Sequence, residues 1–460
     1  IKSMKSYSIQ ELIRKHNTTG PRYTSYPTAL LLKPVSKMDK FHRELGMVSD
    51  TGKELSLYIH LPFCRSLCWY CGCSKVISRN IKDADRYLDY LEKDFELTNP
   101  HLPSGRTVTQ VHLGGGTPTF LTPEQLLRLK LLMQEYFDIV PEAECSVEMD
   151  PRHMTKAHVQ MLRSIGFNRA SIGVQDLNEE VQKAIHRIQP LEINQQAVDW
   201  LRGAGYHSIN MDLIYGLPAQ TPKLFAKTLD EVMLMNPDRL AIYNYAHLPD
   251  LFPSQRLIHS DLLPGPDEKL EMLQYSIEFL EREGYVYIGM DHFARPDDEL
   301  AKALHNGTLQ RNFQGYSTRR GTETWAFGAS AISQTGPIMW QRYKSLDDYY
   351  AAIDRGVMPV HKSYTLSADD TLRRDVIMRL MCGQVLDWHD MDLEYNISTQ
   401  IYFRHELEKL QLLAEDGLVE VDPAGVKVTE MGRLFLRNIA MIFDAWLPAK
   451  SEKPTYSKTI

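Results

Sequence analysis

Apolar, β-branched runs alternate with segments of helical periodicity from residue 55 to about residue 245. The runs have the length of buried strands, and the segments between them repeat apolar residues three and four positions apart. This alternation indicates repeated βα units and a parallel sheet. The predicted strands are Leu55–Phe63, Val108–Gly114, Ala143–Met149, Arg169–Val174, Ser208–Ile214 and Leu240–Tyr245. The predicted helices are Asp83–Asn99, Pro123–Phe137, Thr155–Gly166, Asn178–His186, Glu192–Ala204 and Pro222–Leu234.

Six such units favour an α/β fold of the partial (β/α)6 TIM-barrel type. A long amphipathic helix is predicted at 266–284, and one further strand at Tyr285–Phe293. Beyond about residue 363 the pattern changes to helices at 366–382 and 396–414, a hairpin within 416–429, and a helix from Glu430 to about Trp446. This order resembles a small, mostly helical, winged-helix-like module. We therefore predict an N-terminal extension (1–54), a catalytic domain (55–362) and a C-terminal domain (363–460).

The N-terminal extension begins with a short helix predicted within Ser8–Asn17. A loop rich in Gly, Pro and Thr follows at 20–28, a composition that disfavours regular structure. Its Arg22, Tyr23 and Tyr26 suit two interpretations. They cover a site, or they belong to a strap packed on the barrel.

Composition narrows the class of protein. Hydrophobic residues make up 43% and charged residues 24% of 460 residues, as in globular proteins with a sizeable core. The net charge of −7 argues against a general nucleic-acid binder. No apolar run reaches the roughly 18–20 residues of a membrane span, and the first residues lack the apolar core of a signal peptide. We expect a cytoplasmic protein with reduced thiols and, lacking coiled-coil or repeat patterns, a monomer.

Four of the six cysteines lie close together, at positions 64, 68, 71 and 73. A cytosolic protein rarely forms disulfides, and thiol catalysis requires one cysteine rather than three at fixed spacing. Structural zinc usually takes two C-x2-C pairs, or one with paired histidines. The C-x3-C-x2-C spacing of Cys64, Cys68 and Cys71 therefore favours an iron–sulfur cluster, with zinc as the open alternative.

Polar or glycine-rich residues occur at the end of each predicted strand, where barrels of this type carry their chemistry. In chain order they are Tyr58 and His60, Gly114–Thr117, Glu148, Gln175 with Asp176, Asp212, and Asn244–His247. Glu148 suits a ligand ribose or amino group, or is an ordinary strand-end carboxylate. Arg187 suits a ligand carboxylate, or is a surface arginine. Asp212 lies in an apolar run and needs a partner if it is buried. Cys145 and Cys382 have apolar neighbours and are expected in the core.

The three-cysteine loop, with Tyr70 just before its last cysteine, resembles that of the radical S-adenosylmethionine (SAM) superfamily. The resemblance implies a [4Fe–4S] cluster with one iron left open for SAM. Gly114–Gly116 matches the glycine loop of that superfamily, although Thr117 replaces its usual acidic end.

Longer motifs resemble one family within it, the oxygen-independent coproporphyrinogen III oxidases. These motifs are Gly20–Thr28, Cys64–Cys73, Gly114–Thr119, Ile214–Pro218, Gly289–Leu300 and Asn312–Tyr316. The resemblance implies that Cys64, Cys68 and Cys71 hold the cluster. It places a first SAM beside Tyr58, Gly115, Glu148 and Ile332. A second SAM would lie near Tyr70, Gly116, Thr117, Gln175, Arg187, Asp212 and Ala246. Position 70 is often Phe in relatives, and Tyr keeps the aromatic ring.

The resemblance also implies a reaction: two propionates of coproporphyrinogen III become vinyl groups, giving protoporphyrinogen IX in haem biosynthesis. Tyr58, His60, Glu148, Phe313 and Gln314 are the candidate catalytic residues. Arg22, Phe313 and Gln314 are candidate substrate contacts. A low-potential electron donor and an electron acceptor would be required, and neither a nucleic acid nor a membrane is expected as a partner. A haem-binding chaperone or another porphyrin-acting radical SAM protein of the same family is the alternative, although the chaperones generally lack the equivalents of Cys73 and of the Arg22–Tyr26 loop.

Overall fold

The computed structural model describes residues 7–48, 52–102, 105–319, 321–383, 385–447 and 456–459. The outer ends of the predicted first and third domains therefore lie outside the described residues. The chain divides into two compact units. Unit 1 combines residues 1–31, 280–320 and 366–460, and unit 2 combines residues 32–279 and 321–365. Each unit is assembled from separated segments, whereas the division into three consecutive domains stays a prediction.

Unit 2 is built on a mixed sheet that contains the predicted parallel strands. These are Leu55–Leu61, Thr107–Gly115, Asp138–Met149, Arg169–Gln175, Ser208–Tyr215 and Arg239–Asn244, each parallel to the next. We refer to them as the first to the sixth parallel strand. Their side chains are largely buried, as expected for parallel strands covered by helices. The α/β class and the six βα units are confirmed.

On the other side of the first parallel strand, the sheet of unit 2 continues with strands that the sequence pattern did not predict. Glu323–Phe327 runs parallel to Leu55–Leu61. Ile332–Thr335, Ile338–Arg342, Val360–Thr365 and Lys33–Pro34 then follow in antiparallel order. These short strands are joined by hairpins or by one helix, so they lack the repeated βα spacing that identified the others.

Several helices of unit 2 begin at a residue whose side chain caps them. The Thr122 hydroxyl accepts a hydrogen bond from the Gln125 N–H, and the side-chain oxygen of Gln125 accepts one from the Thr122 N–H. Pro123 occupies the first helical position. The α-helices are Met38–Val48, Lys82–Thr98, Pro123–Tyr136, Lys156–Ser164, Glu179–Ala184, Leu191–Gly203, Pro222–Leu234 and Leu346–Asp354. Pro266–Arg282 spans the boundary between the units.

Unit 1 contains short helices and hairpins. Its α-helices are Ile9–His16, Glu299–His305, Ala368–Met381, Trp388–Tyr395, Thr399–Tyr402, Arg404–Glu415 and Leu436–Met441. Its strands are Val286–Gly289 with His292–Ala294, Gln310–Asn312 with Gly315–Ser317, and a three-stranded sheet of Leu386–Asp387, Gly425–Val428 and Val419–Val421. The predicted short N-terminal helix and the hairpin within 416–429 are confirmed.

Three predictions for unit 1 were wrong in detail. Tyr285–Phe293 is a hairpin and not one strand, because Met290 and Asp291 have left-handed backbone angles and reverse the chain. The helix predicted at 396–414 is two helices, and Asn396 has a left-handed conformation that ends the helix before them. The helix expected from Glu430 to Trp446 is a short 3-10 helix followed by Leu436–Met441.

The N-terminal loop is packed within unit 1. Tyr23 and Tyr26 are buried, and the Tyr23 hydroxyl donates to Asp444 at 2.8 Å. The Arg437 guanidinium donates to the carbonyl of Pro21 at 3.0 Å and to that of Gly20. The loop is thus a packed strap, but these contacts are with the C-terminal part of unit 1 and not with the predicted barrel. Among the described residues, no helix combines the length and apolar character needed to cross a bilayer.

Candidate active site

The cysteine loop is closed at its base by backbone hydrogen bonds. Phe63–Cys64 pairs with Val76–Ile77, and the Ser78 N–H donates to the Cys64 carbonyl at 2.9 Å. Inside the loop, the Cys71 N–H donates to the Cys68 carbonyl at 3.2 Å. The three predicted ligand cysteines therefore belong to one short loop directly after the first parallel strand.

Side chains from later parts of unit 2 hold the outside of this loop. The indole of Trp69 stacks on the His186 ring with centroids 5.2 Å apart, and the backbone N–H of Trp69 donates to the Ile185 carbonyl at 3.0 Å. Gln255 donates to the Tyr70 carbonyl at 2.9 Å. These contacts fix the position of the loop on unit 2.

The sulfur atoms of the loop have different surroundings. Cys68 is buried, and its sulfur lies 3.3 Å from Arg152 Nη2 and 3.5 Å from Arg187 Nη1. The hydrogen bond with the Cys73 thiol lowers the pKa of Cys71 to about 6, whereas burial raises that of Cys64 to about 11. Cys73 is exposed. Across the described part of the chain, no three His, Cys, Asp or Glu side chains gather closely enough to hold a single ion.

The glycine loop after the second parallel strand packs against the cysteine loop. The Gly116 N–H donates to the Leu61 carbonyl and the Thr117 N–H to the Phe63 carbonyl, both at 2.8 Å. A Cβ atom on Gly116 would lie 2.5 Å from the Pro62 carbonyl oxygen. Only glycine fits this close backbone approach. Because these N–H groups are already bonded, a ligand would contact the loop through other atoms.

Glu148, at the end of the third parallel strand, is a half-exposed carboxylate held in place by two donors. His112 Nε2 lies 3.1 Å from its Oε1, and the Gly115 N–H donates to its Oε2 at 3.2 Å. Burial by itself raises the pKa of Glu148, but the hydrogen bond and charge of His112 together with the Gly115 N–H bring it below its usual value. Glu148 is therefore ionised and available to a cationic group.

His112 is a site residue that sequence reasoning missed. Its Nδ1 lies 2.6 Å from Ser146 Oγ, and its ring stacks on Tyr58 with centroids 5.8 Å apart. Its position in the strand, two residues before the glycine run Gly114–Gly116, was the available signal.

Tyr58 and His60 extend this group at the end of the first parallel strand. His60 Nε2 faces the Ser74 carbonyl at 3.0 Å, and an acceptor there requires the proton on Nε2. Nδ1 therefore accepts from the Tyr58 hydroxyl at 3.1 Å. Burial lowers the pKa of His60, so the imidazole is neutral and links the strand to the cysteine loop.

Arg187 is buried, so the surface-arginine interpretation was wrong. Its Nη2 donates to the Gly173 carbonyl at 2.6 Å and its Nε to Gln189 at 3.0 Å. It also pairs with Asp150 at 3.4 Å. Burial raises the pKa of Asp150, but Arg187 and then Arg152 bring it well below its usual range. Asp150 and Arg152 were missed, although they follow Glu148 directly in the chain.

The fourth and fifth parallel strands supply Gln175 and Asp212. Gln175 has a left-handed backbone conformation with φ of 68°, an unfavourable geometry for a non-glycine residue and one that clusters at functional sites. Asp212 is partnered, as expected, by the Ser171 hydroxyl at 3.0 Å and the Asn210 amide at 2.9 Å. Burial raises the pKa of Asp212 to about 6.

Unit 2 thus brings together most of the predicted site residues at the carboxyl ends of its parallel strands. Ala246 follows the sixth strand and accepts a hydrogen bond from Gln255 at 3.2 Å. Ile332 begins a strand two residues after Ser330, whose hydroxyl lies 3.4 Å from His60 Nε2. Phe313 and Gln314 form the turn of a hairpin in unit 1. Cys145 and Cys382 are buried, as predicted.

The fold and this site define a radical SAM protein. The model of the radical SAM superfamily matches residues 58–232, and that of the HemN C-terminal domain matches residues 366–435. The chain belongs to the family of oxygen-independent coproporphyrinogen III oxidases.

Family membership rests on similarity over nearly the whole chain. The oxygen-independent coproporphyrinogen III oxidase of Escherichia coli K12 is 46% identical over 449 residues, covering 98% of each chain. That of Helicobacter pylori J99 is 44% identical over 458 residues, covering 98% of this chain and 99% of the relative. The solved structure described as coproporphyrinogen III oxidase (HemN) from Escherichia coli, a radical SAM enzyme, has a TM-score of 0.91 at 44% identity, covering 97% of this chain and 100% of that one.

Superfamily membership implies a [4Fe–4S] cluster and SAM, and the residues present fit both groups. Three reduced thiols on one loop are soft donors suited to iron, and two arginines donate toward Cys68. Beside them, the half-exposed Glu148 carboxylate and the side-chain-free surface of Gly114–Gly116 suit a small ligand that carries an amino group.

A Gly116→Ala variant is expected to bind SAM at least about tenfold more weakly. The added methyl would collide with the backbone oxygens of Pro62 at 2.5 Å and Phe63 at 2.8 Å, and backbone cannot move aside as a flexible side chain can. Equilibrium binding of SAM to the reconstituted protein measures this. Gly203→Ala is the control, because its Cβ would meet nothing within 4 Å. Equal affinity of the two variants would contradict the role of the glycine loop.

We expect Asp176, beside Gln175, to make the stability of the folded chain depend on pH. Burial raises its pKa from 3.8 to about 6. Because the folded chain binds this proton more tightly, its contribution to stability is full below about pH 4 and is lost as the pH rises through about 6. Relative to wild type, an Asp176→Asn variant should gain roughly 3 kcal/mol of unfolding free energy between about pH 4 and pH 7.

Denaturant unfolding of both proteins at the two pH values measures the change. Asp230→Asn is the control, because Asp230 is exposed on the helix Pro222–Leu234. A difference for Asp176→Asn that stays constant with pH would show that Asp176 does not hold its proton more tightly in the folded chain.

Proposed function

We propose that this chain converts coproporphyrinogen III to protoporphyrinogen IX without oxygen, as a step of porphyrin biosynthesis. The relatives that match 98% of the chain are named for this substrate. One observation carries the proposal: at one end of the parallel sheet, the glycine loop is hydrogen-bonded both to the base of the three-cysteine loop and to Glu148.

We propose that Cys64, Cys68 and Cys71 hold the cluster, whose fourth iron is left for SAM. When bound, the cluster and SAM supply one-electron chemistry that generates a radical able to remove a hydrogen atom. The chain itself binds, orients and excludes water. The proposed neighbours of the first SAM are Tyr58, Gly115, Glu148 and Ile332.

Glu148 has the clearest role among these neighbours. Its ionised carboxylate is fixed by His112 and Gly115, so it attracts a ligand ammonium group without having to reorient. Tyr58 and the neutral His60 form the adjoining wall, and their mutual hydrogen bond fixes the ring positions. Phe313 and Gln314 are proposed to contact the substrate from unit 1.

We also propose a second SAM molecule. Its neighbours would be Tyr70, Gly116, Thr117, Gln175, Arg187, Asp212 and Ala246. Support comes from the left-handed Gln175 and from Asp212, whose carboxyl is already oriented by Ser171 and Asn210. Arg187 is hydrogen-bonded to Gly173 and Gln189. We therefore propose that its role is to position Cys68 and the loop around it.

The reaction balances once an electron acceptor is included. From each of two propionates a hydrogen atom would pass from the β-carbon to the SAM-derived radical, the carboxylate would depart as CO2, and one electron would pass to the acceptor, which leaves a vinyl group. A low-potential donor must supply the electron for the cofactor chemistry. We propose both as separate partners of a cytoplasmic monomer.

The test is an anaerobic assay of the reconstituted protein with reductant, SAM, coproporphyrinogen III and a cell extract as the source of acceptor. Protoporphyrinogen IX and 5′-deoxyadenosine are quantified together and should rise in step. 5′-Deoxyadenosine without protoporphyrinogen would keep the radical chemistry and reject the substrate. Neither product from a cluster-loaded protein would favour the haem chaperone.

A further inference from the structure

One hairpin of unit 1 carries three buried side-chain nitrogens that have no hydrogen-bond partner. They are Arg311 Nη1, Asn312 Nδ2 and Gln314 Nε2. The hairpin pairs Arg311 with Tyr316 and Asn312 with Gly315, and it turns at Phe313 and Gln314. All three atoms are donors only. Because buried donors are nearly always paired in folded proteins, three of them in four consecutive residues indicate a site for an acceptor.

The charge of Arg311 strengthens this argument. The side chain is 6% exposed, its Nε donates to the Arg22 carbonyl at 3.3 Å, and its guanidinium lies over the Tyr316 ring at 4.8 Å. Among the residues that the structure describes, no carboxylate forms an ion pair with it. A buried cation is costly without an anionic partner, so the acceptor expected here is an anion.

The charged neighbours leave an excess of positive charge. Arg22 pairs with Asp291 at 3.0 Å, so the negative charge of Asp291 is offset by Arg22. Burial, reinforced by the charge of Arg311, lowers the pKa of His292 to about 4, so His292 is neutral. Arg311 therefore remains to be neutralised.

Two other arginines of unit 1, one buried and one partly buried, show how the chain treats a purely structural guanidinium. Arg437 is 4% exposed and donates to the backbone carbonyls of Pro21 and Lys458. Arg373 lies over the Phe403 ring and pairs with Asp369 and Glu406, both at 2.9 Å. Arg311 has an aromatic contact like that of Arg373, one backbone carbonyl and, among the described residues, no carboxylate partner.

The surroundings also limit the kind of anion. Phe313, which lies between Asn312 and Gln314 in the hairpin, lines a neighbouring cavity of about 270 Å³ together with Arg22 and Tyr23, and the three donors are not part of its lining. With the Tyr316 ring against Arg311, the site has an aromatic wall beside its donors. Such a combination suits a carboxylate attached to a flat apolar body better than a small inorganic anion.

We propose that Arg311, with the amides of Asn312 and Gln314, binds a propionate carboxylate of the substrate. The identity of this ligand rests on the proposed function. The planar guanidinium can hold a carboxylate through two parallel hydrogen bonds, which an ammonium cannot do. Arg311 is thus a specificity-determining residue that requires a free acid on the tetrapyrrole.

The test compares coproporphyrin III, an air-stable porphyrin with free carboxylates, with its tetramethyl ester. Binding to the cluster-reconstituted protein is followed by porphyrin fluorescence. Arg311→Met should weaken binding of the acid at least about tenfold, and Arg311→Lys should weaken it about threefold. Both variants should bind the ester as the wild type does. Arg373→Met is the matched control, because it removes a paired guanidinium from the same unit, and its affinity for the acid should stay within about twofold of wild type.

Three results would overturn the proposal. Wild-type affinity of Arg311→Met for the acid would exclude the contact, and equal weakening of acid and ester would make Arg311 structural. If Arg311→Met does not fold, the comparison uses the wild type and Arg311→Lys instead. Equal affinity of the wild type for the acid and the ester would then overturn the assignment. A wild type that binds no coproporphyrin III would instead reject the proposed substrate itself, and the two failures are therefore distinguishable.

Discussion

A Cys68→Ser variant should retain no [4Fe–4S] cluster after anaerobic reconstitution and should lose turnover by at least about a thousandfold. Iron is held by soft thiolates, and a serine hydroxyl is a hard donor that stays protonated at neutral pH. Cys68 is also the buried sulfur of the loop and the one that Arg152 and Arg187 contact. Iron and acid-labile sulfide content, together with 5′-deoxyadenosine formation, measure the loss.

Two cysteines provide matched controls for this experiment. Cys73 lies in the same loop but is exposed, so Cys73→Ser should keep iron content near that of the wild type. Cys382 is buried in unit 1 and belongs to no proposed site, so Cys382→Ser should keep iron as well. Full iron content in Cys68→Ser would reject the ligand assignment. Complete loss of iron in Cys73→Ser would show that the loop uses a different set of ligands.

The second large effect concerns stability. Asp94 and Arg342 form an ion pair with fully buried side chains in unit 2, with Arg342 Nε 2.7 Å from Asp94 Oδ2. Tyr349 donates to the same carboxylate at 2.8 Å. Asp94→Asn should lower the free energy of unfolding by roughly 3–5 kcal/mol, because it leaves the Arg342 charge buried without a counter-ion.

Asp89→Asn on the same helix is the control. Asp89 pairs with Arg128 at 2.6 Å, but the side chains are 58% and 37% exposed, so the loss should stay below about 1 kcal/mol. Urea unfolding followed by circular dichroism measures both variants. Similar losses would show that the buried pair contributes no more than an exposed one.

The buried pair also supports the site. The Gly328 N–H donates to Asp94 at 3.3 Å, and the next residue, Ala329, donates its N–H to the Tyr87 hydroxyl at 3.0 Å. Tyr87 in turn donates to the His60 carbonyl at 2.6 Å. Residues remote from the cysteine loop thus hold the end of the first parallel strand in place.

Much of the fold could be predicted because it depends on local periodicity. The parallel strands and their helices have repeated apolar patterns, and helix starts such as Thr122–Pro123 carry their own capping signals. The strands from Glu323 to Thr365 were missed because they are short and lack an intervening repeat. The reversal at Met290–Asp291 was missed because neither residue is the Gly or Asn that usually marks a two-residue hairpin turn.

The site divides in the same way. Cysteine spacing and the glycine run identify the loops, since both signals lie within a few residues. His112, Asp150 and Arg152 were missed because their importance comes from partners that folding brings to them. The buried position of Arg187 had the same cause.

The sequence by itself determined the βα order, the C-x3-C-x2-C spacing of Cys64, Cys68 and Cys71 that predicts an iron–sulfur cluster, and the resemblance to one family, because each depends on residue type at short separation. Only the tertiary structure decided which groups meet. It ionises Glu148 beside His112, buries Arg187 against Asp150, and gives Arg311 no carboxylate partner within the described part of the chain. Burial and long-range pairing set the charge and the available donors of a side chain, and neither can be derived from the spacing of residues along the chain.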